Sequence, residues 1–163
     1  MGILSAVSKL FGIGGAGQQK GHPKDSPDDG AEIKCTILVI DDSPMLIQTV
    51  KPLLIKRGFN VLSTSSAPKG LDMLRYAAGD VGIVVLDYSM PKLNGDETLK
   101  FVRQLSPKAK VIGLTSMNLD SVPKAYADGV DKLLTKPVVA TELIGAVDEL
   151  LADGQAASSS TQS

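Results

Sequence analysis

The side chains best suited to chemistry fall directly behind short apolar runs: Asp41 and Asp42 after Ile-Leu-Val-Ile, Asp87 after Ile-Val-Val-Leu, Thr115 and Ser116 after Val-Ile-Gly-Leu, and Lys136, followed by Pro137, after Leu-Leu-Thr. Each has an ordinary explanation alone. Asp42-Ser43-Pro44 suits a helix start, Asp87 a turn ahead of Pro91, Thr115 a strand-end hydroxyl and Lys136 a solvated surface cation. Brought together, the three carboxylates repel one another and raise one another's pKa unless a cation or proton offsets them. A hard divalent ion with oxygen ligands is the natural compensation, and Mg²⁺ fits best because it keeps several waters and uses few carboxylates plus a phosphate. Thr115 can hydrogen-bond, and Lys136 can pair with, an anion beside that metal. A phosphoryl group is the candidate anion.

The elements that must position these groups alternate between β-rich runs and helical patterns, the mark of βαβ units around a parallel sheet. Strands are expected at 36–40, 60–64, 82–86, 110–114 and 132–135. Those at 36–40, 82–86 and 110–114 are almost wholly apolar, as strands covered on both faces should be, whereas the run at 60–64 is polar at its end and suits an edge. A first helix is expected from Ser43 as N-cap to a stop at Gly58, burying Leu46, Val50, Leu53 and Leu54 and kinked at Pro52. Further helices are expected at 68–78, 95–105, 122–128 and 141–151, the last two behind Ser121 and Thr141 as caps, with Gly129 ending the short one. Ligands of open α/β sheets bind beyond the carboxyl ends of the strands. With right-handed crossovers, and the first, third, fourth and fifth strands as neighbours, the polar side chains converge on one crevice.

Composition narrows the class. At 43% hydrophobic and 21% charged, the chain carries enough apolar surface for one core without disulfides, and its length suits one domain with tails. A net charge of −1 supplies no positive field, so no nucleic-acid partner is expected. The single Cys35 fits a reducing compartment, and no apolar run reaches the length of a membrane span, so a cytoplasmic protein is expected. Residues 1–33 read as a flexible extension, 34–151 as the folded body and 152–163 as a disordered tail, which leaves no room for a second domain.

Taken in order, the motifs resemble the receiver domain of bacterial two-component response regulators. Ile-Leu-Val-Ile-Asp41-Asp42-Ser43 is similar to the family's acidic pair, and Val-Val-Leu-Asp87-Tyr-Ser-Met90-Pro91-Lys-Leu-Asn94-Gly95 to its phosphoacceptor strand and loop. Val-Ile-Gly-Leu-Thr115-Ser116 and Gly129-Val-Asp-Lys-Leu-Leu-Thr-Lys136-Pro137 resemble the other two signatures. The resemblance covers about 34–151. It implies an α/β fold, a doubly wound, flavodoxin-like, five-stranded parallel sheet in the order 2-1-3-4-5 with helices on both faces. It further implies that Asp87 accepts a phosphoryl group from a histidine kinase or histidine phosphotransfer protein. Asp42, Asp87 and the backbone carbonyl of Ser89 would ligate Mg²⁺, with Asp41 a near or water-mediated ligand. Thr115 would bond a phosphate oxygen, Lys136 would pair with the phosphate, and Lys136-Pro137 would be a cis peptide. The positions two after the acceptor and two after the threonine, which in receivers govern the attacking water, are Ser89 and Met117. Where the family often carries a switching Tyr or Phe, three residues before Lys136, this chain has Leu133, so Thr115 and Leu133 are the switch candidates.

Other classes fit less well. A dehalogenase-type phosphatase would want Asp-x-Asp-x-Thr after its first strand, and a flavin carrier a loop of small residues where Asp41 and Asp42 would repel phosphate. A degenerate receiver, a binding or localisation module independent of phosphorylation, is the alternative reading. At the N-terminus, Ile3, Leu4, Val7, Leu10 and Phe11 fall on one helical arc. Residues 2–11 are thus expected to dock on an output protein not identified by the sequence or on the chain's own receiver. Membrane contact is the weaker choice because Lys9 is the segment's one basic side chain.

Overall fold

A computed structural model describes residues 35–77 and 79–159. The docking segment expected at 2–11, the rest of the N-terminal extension and residues 160–163 lie outside the described residues. The chain runs β1 (Thr36–Ile40), α1 (Pro44–Lys56), β2 (Asn60–Thr64), α2 (Ala67–Ala77), β3 (Val81–Asp87), α3 (Gly95–Leu105), β4 (Lys110–Thr115), a 3-10 turn (Leu119–Ser121), α4 (Lys124–Gly129), β5 (Lys132–Thr135) and α5 (Ala140–Ser159). All strand pairs are parallel, in the expected order β2-β1-β3-β4-β5.

The period-two alternation of the strands divides the core in two. Leu38, Ile40, Val84, Leu86 and Val111 face one side, against Leu71 and Leu74 of α2, Leu99 and Val102 of α3 and Tyr126 of α4. Ile37, Val39, Ile83, Val85, Ile112 and Leu114 face the other, against Val50 and Leu54 of α1 and Leu143, Val147 and Leu150 of α5. Both faces are therefore covered, which is why these strands read as unbroken apolar runs.

Several boundaries differ from the sequence reading. Strands β3 and β4 each run one residue further, so Asp87 and Thr115 end their strands and take the strands' rigidity. Helix α1 ends at Lys56, short of the glycine stop, with exposed Pro52 inside it and Gly58 at φ 87° beyond its end. Ser121 caps nothing: Val122, held extended at φ −70° and ψ 131° by the proline that follows it, keeps α4 from starting before Lys124. Thr141 lies inside the first turn of α5, where the carbonyl of Val139 accepts from Glu142 and Leu143. Gly129 ends α4 without a left-handed φ. It packs closely against α3, where a Cβ at this position would sit 2.7 Å from Cδ2 of Leu99 and the leucine side chain would have to shift. Helix α5 runs from Ala140 to Ser159, past the helix end expected at Leu151, as the good helix formers Ala152, Gln155, Ala156 and Ala157 favour.

Asp131 ties the sheet to α3. Its carboxylate accepts from Arg103 and from the Val111 N–H, both at 2.8 Å, and Arg103 also donates to the carbonyls of Gly129 and Ala109. Burial alone would raise the Asp131 pKa, but these donors outweigh it and hold it below the usual carboxylate range. A depressed folded-state pKa contributes stability above the unfolded value of about 3.9 and loses it as pH falls through the folded value. Asp131→Asn should therefore cost about 2 kcal/mol at neutral pH. In denaturant titrations the gap to the wild type should close below about pH 4.

Candidate functional site

The parallel register brings the polar strand ends together. Ile40 pairs with Leu86, so the next residues, Asp41 and Asp87, stand side by side. On the other side Asp87 pairs with Leu114, and Thr115 with Thr135, after which comes Lys136. The Thr115 carbonyl accepts from the Lys136 N–H at 2.7 Å. The lysine side chain thus starts at the edge of the crevice and reaches inward. Its Nζ lies 2.7 Å from Oδ2 of Asp41 and 3.1 Å from Oδ1 of Asp87. The peptide joining Lys136 to Pro137 is cis.

Asp41, Asp87 and Thr115 are buried, whereas Asp42 is exposed at the mouth. Burial, then the charge of Asp41, raises the Asp87 pKa, against the opposing pull of Lys136 and the Ser89 N–H. Burial acts on Lys136 in the opposite sense, but the two carboxylates outweigh it and hold the ammonium above its ordinary range. The pocket thus holds a protonated lysine between two aspartates.

The loops are fixed by their own side chains. Asp41 Oδ1 accepts from the Ser43 N–H at 2.9 Å, and Ser43 Oγ caps α1 by accepting from Leu46. After Asp87, whose Oδ1 accepts from the Ser89 N–H at 3.3 Å, the chain turns through Lys92 at φ 75°. It enters α3 by a capping box in which Asn94 and Glu97 bond each other's backbone. Gly95 is required here, because a Cβ would fall 2.7 Å from the Tyr88 Cα. Thr115 Oγ1 accepts from the Met117 N–H at 3.0 Å and so retains its own proton for donation.

The donor set fits a hard divalent cation. One carboxylate oxygen from each of Asp41, Asp42 and Asp87 lies within 4.8 Å of the others. Oδ2 of Asp41 is buried and lacks an aligned hydrogen-bond donor, its contact with Lys136 being an ion pair off the angle of a hydrogen bond. Ser89 follows Asp87 at the pocket, where its N–H is the group engaged. Leu133 stands apart, half-buried in the row of Leu86 and Gly113. Sequence reasoning missed Tyr126, fully buried, whose hydroxyl donates to the Leu86 carbonyl at 2.7 Å. Only the glycines that make room for it, at 95 and 113, hint at it in the sequence.

A doubly wound parallel sheet whose carboxyl edge gathers an acidic cluster, a threonine and a lysine is the architecture of a phosphoacceptor signalling domain. The family model of the response regulator receiver domain matches residues 37–148, and the chain belongs to that family. It is 28% identical over 117 residues to the chemotaxis protein CheY of Bacillus subtilis, covering 71% of this chain and 96% of CheY. It is 29% identical over 112 residues to the cell cycle transcriptional regulator CtrA of Caulobacter vibrioides, covering 68% of this chain. The match spans about half of CtrA, 48% of its length. Among solved structures, a receiver domain protein from Clostridium thermocellum aligns with a TM-score of 0.68 and 34% identity, over 74% of this chain and 97% of that one. Receiver domains are signalling domains that bind Mg²⁺ at an acidic pocket and work through kinases, phosphotransfer proteins and output partners. Among the described residues no helix is long and apolar enough to cross a membrane.

Proposed function

We propose that the chain acts as a response regulator of the cytoplasm that accepts a phosphoryl group on Asp87 and signals by phosphorylation-dependent protein contacts. The observation carrying this reading is the buried Asp87 carboxylate at the end of central β3, 3.1 Å from the Lys136 ammonium and beside Asp41. A carboxylate oxygen of Asp87 attacks the phosphorus of a phosphohistidine on a kinase or phosphotransfer protein. The O–P bond of an acyl phosphate forms, the N–P bond breaks, and the imidazole leaves with the electron pair. Lys136, freed from full engagement with Asp87, pairs with a phosphoryl oxygen, and the Thr115 hydroxyl donates to another. Asp41, Asp42, Asp87 and the Ser89 carbonyl are the ligands assigned to Mg²⁺, which would neutralise charge on the transferring group. A groove of about 300 Å³ lined by Met45, Leu46, Val138 and Lys136 gives the donor protein an apolar seat beside the site.

The test is incubation with acetyl phosphate and Mg²⁺, followed by intact mass and peptide mapping. One added phosphate on Asp87, removable by hydroxylamine, is expected; phosphate on another residue, or none, would overturn the assignment.

The lifetime of that phosphate follows from its neighbours. Ser89 and Met117 are both exposed, and neither is a general base or presents a carboxamide to water. Self-dephosphorylation should be slow, with a half-life of minutes or longer. Ser89→Asn combined with Met117→Glu should shorten it by about 10-fold or more, read as release of inorganic phosphate.

A further inference from the structure

Helix α4 spans only Lys124–Gly129, and Tyr126 is its one buried side chain. A bulky side chain on so short an element decides where that element sits. The Tyr126 hydroxyl donates to the carbonyl of Leu86, the residue before Asp87. Its ring meets Tyr88, the residue after Asp87, edge-on with centroids 4.9 Å apart and planes at 61°. One side chain from a distant helix therefore grips both chain neighbours of the acceptor.

The slot is shaped for this ring. A Cβ on Gly95 would lie 2.8 Å from Cε2 of Tyr126, and one on Gly113 would lie 3.0 Å from both its Cε1 and its hydroxyl. Leu133, in the same sheet row as Gly113 and Leu86, closes the slot, with its Cδ1 3.1 Å from that Gly113 position. Burial first, then the nearby charge of Asp87, raises the hydroxyl pKa, so Tyr126 remains a donor throughout the neutral range. An interior this close-packed does not deform continuously; a shift of the Leu86–Tyr88 backbone must move the ring with it.

We propose that Tyr126 is the positioning residue that couples the acceptor to helix α4, holding the backbone around Asp87 and carrying a change of charge there to residues 124–130. The proposal rests on the phosphoacceptor reading of Asp87. It gives the chain a coupling element in place of an aromatic at position 133, since Leu133 acts here as one wall of the slot.

The experiment compares backbone amide spectra of the wild type and Tyr126→Phe with and without Mg²⁺ and beryllofluoride, a phosphoryl mimic. Phenylalanine keeps the ring and removes only the donor. In the wild type the mimic should shift the amides of 87–89, 115–117 and 124–130. In Tyr126→Phe the shifts at 87–89 should persist while most of those at 124–130 are lost. Equal shifts at 124–130 in both proteins would overturn the proposal. A mimic that leaves 87–89 unmoved in the wild type would overturn the phosphoacceptor reading and the proposal with it. Should Tyr126→Phe fail to fold, the wild type labelled with 3-fluorotyrosine decides the matter, its three tyrosine signals being assigned with Tyr76→Phe and Tyr88→Phe. The Tyr126 fluorine signal should shift on adding the mimic, and a stationary one would overturn the coupling.

Discussion

Asp87→Ala and Asp87→Asn should each abolish phosphate incorporation from acetyl phosphate while leaving the fold intact. The loss should be complete, because Asp87 is the carboxylate that ends β3, 3.1 Å from the Lys136 ammonium, and Asp41 beside it has one oxygen engaged by Ser43 and the other by Lys136. Stability should move in the opposite direction from activity. The folded-state pKa of Asp87 is raised by burial and by Asp41. Such a group favours the fold at low pH and loses that contribution as pH rises from its unfolded value through its folded one. At neutral pH the ionised side chain thus opposes folding, and an uncharged asparagine of the same shape relieves the repulsion from Asp41. The thermal midpoint of Asp87→Asn at pH 7 should equal or exceed that of the wild type, with the advantage shrinking toward acid. Hydroxylamine-sensitive label on Asp87→Ala in the absence of a new mapped site would sink the assignment; a folded, unlabelled variant is the expected result.

How much of this was legible in the sequence depends on how local each signal is. The bounds of β1, β2, β5 and α3 match the sequence reading, because runs such as Thr36–Ile40 are buried on both faces and Asn94 stands where an N-cap is needed. The convergence of Asp41, Asp87 and Lys136 was legible because a parallel sheet with right-handed crossovers allows few arrangements of its carboxyl ends. The metal set is a different case: the spacing suggested it, and the structure supplies the short separation among Asp41, Asp42 and Asp87.

The misreadings have physical sources. Ser121 has the chemistry of an N-cap, but Pro123 governs the backbone of Val122 and delays the helix. Gly129 looked like a left-handed stop, yet it ends α4 without a positive φ and lies close against Leu99, a contact with another helix that no local pattern records. Tyr126 was hardest to see, since its partner Leu86 is 40 residues away and α4 is too short to show a periodic apolar face. Arg103 and Asp131 pair across 28 residues for the same reason: each is an unremarkable surface charge until the chain closes.

Chelating divalent ions should slow labelling of Asp87 by about 100-fold or more, since the pocket otherwise repels the group it must receive. Asp41, Asp42 and Asp87 bring three negative charges and Lys136 one positive, leaving two negative charges at the mouth of the crevice. At an effective dielectric near 20 and a separation of about 5 Å, each unit charge acts on another with roughly 3 kcal/mol, so an incoming phosphoryl oxygen meets a barrier of that order. A divalent cation brings the pocket to neutrality. Two variants separate the ion from the lysine. Asp42→Asn removes the exposed carboxylate proposed as a ligand and should raise the Mg²⁺ concentration needed for half-maximal labelling while leaving the fold unchanged. Lys136→Ala should do the reverse to the metal: with the ammonium gone, Mg²⁺ should bind more tightly, yet labelling should still fall because the phosphoryl group has lost its ion-pair partner. The readouts are the initial rate of phosphate uptake and the Mg²⁺ dissociation constant, measured on each folded variant. Undiminished labelling in excess chelator would rule out the ion, and weaker Mg²⁺ binding by Lys136→Ala would show that the lysine supports the metal site rather than competing with it.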